Sequence, residues 1–154
     1  MLSSLRPIAA VPFDFPFFTV PLPTAELPYV RLTYRPDLRI LFMRWTRLVS
    51  SQEHKTGYMQ GLNFAREHQV GHWLVDLRTR GLAETEDFKW VLQEFWPQMQ
   101  QALPGTSFRI AYLVTPYHQE LINSRLIAED KMFRSFIEEK DAYQWLGAPM
   151  ATIS

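Results

Sequence analysis

His72-Trp73-Leu74-Val75-Asp76-Leu77, entered through Gly71, is the stretch that decides the fold class. Its apolar residues run nearly unbroken rather than alternating. A strand with one wet face alternates, whereas a strand covered on both faces does not, and parallel strands bridged by helices are covered in this way. The segment before it, Ser50 to Gln69, has helical spacing. Ser50 and Glu53 fit a capping box, and Tyr58, Leu62 and Ala65 share one face. Gly57 and Gly61 lie on that face and each costs a helix about 1 kcal/mol relative to alanine. Their four-residue spacing predicts close approach of the helix backbone to a sheet, and Gly71 is expected to stop the helix.

Further toward the N-terminus, Tyr29–Tyr34 alternates and Leu38–Trp45 is more apolar. Arg35-Pro36-Asp37 between them is a turn, so the pair predicts an antiparallel hairpin. On the other side of the deciding strand, Thr85-Glu86-Asp87 opens a second helix with Thr85 as the capping hydroxyl. Phe88, Val91, Leu92, Phe95, Met99 and Leu103 form its apolar stripe. Pro97, inside that stripe, predicts a kink or a restart. Phe108–Val114 reads as a strand, Pro116 to about Ile127 as a helix, Lys131–Phe136 as an edge-like strand and Glu138–Leu146 as a final helix. The order ββαβαβαβα predicts an α/β domain with a mostly parallel mixed sheet carrying helices and right-handed crossovers.

The 154 residues suit one domain, here spanning 29–146 with 147–154 as a tail. Lys and Arg total 16, as do Asp and Glu, so the basic surplus that displaces counterions from nucleic acid is missing. Hydrophobic residues at 47% supply a core and argue against wholesale disorder. The absence of cysteine excludes disulfides, thiolate metal sites and a cysteine nucleophile.

Residues 1–28 form an extended arm. Six prolines from Pro7 to Pro28 interleave with Phe13, Phe15, Phe17 and Phe18. Pro12, Asp14 and Pro16 interrupt every apolar window that a secretory signal would need, and no window has the length of a membrane span. The expected location is therefore cytoplasmic. The phenylalanines are expected to lie on the arm's own domain or on a neighbouring subunit, with a flexible tail as the remaining alternative.

Several stretches carry a family resemblance: Leu41-Phe42-Met43-Arg44-Trp45, Trp73-Leu74-Val75-Asp76, Phe88-Lys89-Trp90, Arg109-Ile110-Ala111-Tyr112, and the ending Phe136 to Leu146. Over residues 29–146 the chain resembles the STAS domain, the sulfate-transporter and anti-sigma-factor-antagonist fold. It is most similar to small bacterial STAS-like proteins allied with CRAL-TRIO lipid-binding domains. The resemblance implies a non-catalytic regulatory or binding module that acts through protein contacts and self-associates. Its CRAL-TRIO side implies the alternative, a carrier or sensor of a small apolar or lipid-like ligand. Anti-sigma-factor antagonists carry a phosphorylatable serine after the third strand, where this chain has Asp76-Leu77-Arg78-Thr79-Arg80-Gly81. Thr79 between two arginines is the residue left for such a switch.

No Walker loop, Gly-x-Gly-x-x-Gly turn or Gly-x-Ser-x-Gly elbow is present, so no cofactor is expected and no catalytic set can be assembled. His68 and His72 have metal-ligand spacing, but Gly71 interrupts the helix between them, so no metal site is expected. His54 is expected on the surface of its helix. Asp76, Arg78 and Arg80 sit at the carboxyl end of a central strand, where open α/β sheets bind ligands. Tyr117 and His118, with Thr115, follow the next strand and are expected along the same edge. Trp90 and Trp96 flank the stripe of the second helix, and at least one is a candidate to face a partner or ligand.

Overall fold

A computed structural model describes residues 21–124 and 132–147. Six strands form one sheet in sequential order: β1 (Thr24–Leu27), β2 (Val30–Arg35), β3 (Ile40–Trp45), β4 (His72–Asp76), β5 (Arg109–Leu113) and β6 (Phe133–Phe136). β1, β2 and β3 pair antiparallel, while β3 through β6 run parallel, with Leu41 opposite Trp73 and Trp73 opposite Ile110. The chain is an α/β domain with a mostly parallel mixed sheet. The hairpin turn after Arg35 is closed by Arg39, whose φ is 57°. β1 lies inside the proline-rich segment expected as an arm. It has the one place in a sheet open to such a segment, the edge, where backbone donors are not required on both sides. Phe13, Phe15, Phe17 and Phe18 lie outside the described residues.

Alternation along the parallel strands divides the interior in two. Met43, Trp45, Trp73, Val75, Ile110 and Tyr112 point to one face. Phe42, Leu74, Ala111 and Leu113 point to the other. The first face carries α1 (Ser51–His68), α2 (Thr85–Trp90) with its continuation, and α4 (Pro116–Ser124), which packs through Ile122. Successive crossovers of one hand place their helices on one side of a sequentially ordered sheet. α5 (Glu139–Gly147) follows the last strand and covers the second face through Ala142 and Leu146. Buried Arg109 of β5 reaches it, donating to the Trp145 carbonyl and lying over the Trp145 ring.

The capping box of α1 forms as its sequence predicts. The Glu53 N–H donates to Ser50 Oγ, and the Glu53 carboxylate accepts from the Ser50 N–H. Gly57 and Gly61 face the sheet, and a methyl group at either would collide with an indole. The distances would be 2.5 Å to Trp45 and 2.8 Å to Trp73. Gly71 does not stop the helix. Gln69 does so in a left-handed conformation, φ 54°, and Gly71 is instead the point where the chain passes against the Ser107 carbonyl too closely for any Cβ.

Thr85 is the first helical residue of α2 rather than its cap. Glu84 occupies the cap position and makes no side-chain capping bond. Pro97 produces both expected effects. The helix widens into a π turn over Val91–Phe95, where the Trp96 N–H reaches the Val91 carbonyl five residues back, and then restarts as α3 (Trp96–Ala102). The wider turn accommodates a ring that has no N–H and would otherwise press on the Gln93 carbonyl.

Candidate functional site

Between the sheet and the helices of the first face is a cavity of about 450 Å³. Tyr58 of α1, Leu77 after β4, Phe88 of α2, Tyr112 of β5 and Phe133 of β6 supply most of its apolar wall. This is the size and character of a small-molecule pocket. Arg80, from the turn after β4, enters the interior as part of the cavity wall and is 5% exposed. Its guanidinium lies over the Trp45 ring at 4.4 Å, and Nη2 donates to His54 Nδ1 at 2.7 Å. Nη1 is buried without a partner among the described residues.

His54 is 1% exposed, so its expected surface position is wrong. The protein sets its tautomer. Arginine can only donate, so Nδ1 must accept; the Asp87 carbonyl 3.1 Å from Nε2 can only accept, so Nε2 must carry the proton. Burial, with the Arg80 charge beside it, holds the imidazole down to about pKa 4. Both nitrogens are occupied, and this neutral ring has no lone pair left for a substrate proton. Ser51 Oγ donates to the Asp87 carboxylate, which ties the start of α2 to the start of α1. Burial raises the Tyr58 and Tyr112 hydroxyl pKa values, so both stay protonated. Among the described residues the Tyr112 hydroxyl has no hydrogen-bond partner of good geometry, although it is near enough to the Tyr58 hydroxyl for each to shift the other's titration.

The expected cluster of Asp76, Arg78 and Arg80 is divided by the sheet. Asp76 accepts from the backbone and side chain of Arg78 and from Arg44 Nη1 at 2.8 Å, on the face covered by α5. Burial alone would raise its pKa, but these bonds bring it below the ordinary carboxylate value. Arg44 also reaches Glu139, which accepts from the Tyr143 hydroxyl. These bonds satisfy one another and leave Asp76 8% exposed, a local ion network with little access for a ligand. Arg80 faces the opposite side. Thr79 is exposed in the turn between them, and the two arginines are not available together to a phosphate on it.

Trp90 and Trp96 are half-buried and pack inward. Trp90 lies against His54, Tyr58 and Phe95, and Trp96 against Phe108 and Phe133. Thr115 Oγ1 accepts from the His118 N–H at the start of α4 and lies 3.0 Å from its ring nitrogen Nδ1. The His118 ring comes near Gly81, so this edge does adjoin the 78–81 turn as expected. Tyr117 is 69% exposed beside it. His68 stacks on Tyr34, while His72 faces Ser107 Oγ, and the described residues contain no group of three or more His, Asp or Glu side chains placed to hold a metal. No helix among them is long and apolar enough to cross a membrane.

His54 was legible in principle. It precedes Tyr58 by four residues and Gly57 by three, on the stripe that continues through Gly61, Leu62 and Ala65. Nothing in the local sequence indicates that Arg80 turns inward while Arg78 turns out. No family model and no curated protein matches the chain.

Proposed function

We propose that this domain is a non-catalytic binding module whose cavity takes one small ligand with an apolar body, as a carrier or sensor. The supporting observation is the cavity itself, about 450 Å³ with a wall largely of aromatic and aliphatic side chains. The absence of catalysis in this proposal rests on the state of the titratable lining groups: His54 has both nitrogens engaged and the tyrosines stay protonated. The parallel β3–β6 order, with one helical connection between successive strands, is the feature that supports the STAS-like reading from which the carrier alternative comes. A role in protein contacts, including self-association, draws support from β1. Among the described residues no strand pairs with its outer edge, and such an edge is a template for another chain.

N-phenyl-1-naphthylamine, an uncharged dye that fluoresces in apolar surroundings, tests the cavity. The wild-type protein should bind it at a single site. Ala83→Trp, which adds an indole to the cavity wall, should abolish binding without unfolding the chain. Binding that is absent in the wild type, or unchanged in the variant, would overturn this function.

A further inference from the structure

Resting on the reading of the cavity as a ligand site, we infer that its ligand is an anion: a small acid with an apolar body, whose carboxylate is held by Arg80. Five arginines of this protein are neutralised by a carboxylate. Arg31, Arg35, Arg44, Arg47 and Arg78 each hold a carboxylate oxygen at 2.6 to 3.0 Å, and all five are substantially solvated. Arg80 is far more buried, yet among the described residues it has no carboxylate within ion-pair distance. Among the described residues its one hydrogen bond goes to a neutral imidazole, and one guanidinium face is covered by Trp45. Burying a cation is costly unless an anion and acceptors compensate it, and an arginine cannot shed its charge.

The cavity wall has the complementary asymmetry. Among the described residues it contains two cations, Arg80 and the more exposed Lys89, and no Asp or Glu. Asp87, the nearby buried carboxylate, is outside the wall and accepts from Ser51; it acts on Arg80 through its field without an ion-pair contact. His54 fixes the guanidinium from behind by accepting through Nδ1, and the Asp87 carbonyl fixes the His54 ring in turn. Arg80 is thereby pre-oriented in the wall of a largely apolar cavity, which suits a carboxylate head with a hydrocarbon or aromatic tail.

The test uses the full chain with N-phenyl-1-naphthylamine bound, displaced by decanoate or by decan-1-ol, which share a tail and differ in charge. Both are kept below the concentrations at which decanoate forms micelles. In the wild type, decanoate should displace the dye at about ten- to a hundredfold lower concentration than the alcohol. Arg80→Gln should abolish that advantage while still binding the dye, and Arg80→Lys should retain part of it. Equal displacement by acid and alcohol in the wild type, displacement by neither, or an advantage that survives Arg80→Gln would overturn the inference. If Arg80→Gln does not fold, the wild-type comparison and Arg80→Lys still decide it. Failure of the dye to bind the wild type would instead remove the cavity reading on which this one rests.

Discussion

Acid should destabilise this protein partly through His54, and replacing His54 with asparagine isolates that contribution. In the unfolded chain the imidazole has the ordinary value of 6.5, whereas in the folded protein burial and Arg80 hold it at about 4. Below 6.5 the unfolded state binds a proton that the folded state refuses, so stability falls with falling pH through this window and levels off below about 4. At about 1.4 kcal/mol per pH unit, the loss is about 3 kcal/mol. Asp76 and Glu139, whose pKa values are lowered on folding, also cost stability in acid, but they do so equally in both proteins. They cancel when the variant is subtracted from the wild type. Urea unfolding at a series of pH values is the assay. His54→Asn keeps an oxygen to accept from Arg80 and removes the titration. The wild-type-minus-variant stability should shrink by about 3 kcal/mol between about pH 7 and about pH 4. A difference that stays flat would refute a buried, neutral His54, and with it the orientation of Arg80.

Two further outcomes follow from packing. Gly57→Ala removes a helix penalty of about 1 kcal/mol but sets a methyl 2.5 Å from the Trp45 ring. Trp45 is itself buried, so overpacking should prevail and thermal unfolding should show a net loss of about 1–2 kcal/mol; a more stable variant would mean that α1 can lift off the sheet at little cost. Phe95→Ala should cost about 3–5 kcal/mol in denaturant unfolding, because the ring is fully buried against Tyr58 and Trp73. A loss below about 1 kcal/mol would place Phe95 outside the core.

Periodicity carries information wherever one element packs on one surface. The capping box of α1, the sheet-facing glycines, the hairpin and the four parallel strands were all readable on that basis. The irregular segments were not readable in the same way. β1 was missed because an edge strand needs only one partner and can follow a proline-rich segment, so its composition resembles that of an arm. Gly71 looked like a helix stop because the close approach that requires it comes from Ser107, distant in sequence. Thr85 looked like a cap because its residue type suits one, but the chain enters α2 one residue earlier.

The sequence by itself determined the alternation of strand and helix, the burial of the central strands and the disturbance at Pro97, because each depends on residue type and spacing within one element. Only the tertiary structure decided which side of the sheet each charge occupies. Successive residues of an extended chain point to opposite faces, but in the turn after β4 that rule lapses, and the backbone path sends Arg78 to Asp76 and Arg80 beneath Trp45. The pairing of Arg80 with His54 joins residues 26 positions apart through two elements whose relative placement is set by the whole core. A local pattern cannot encode such a contact, because it forms only after α1 has docked on the sheet.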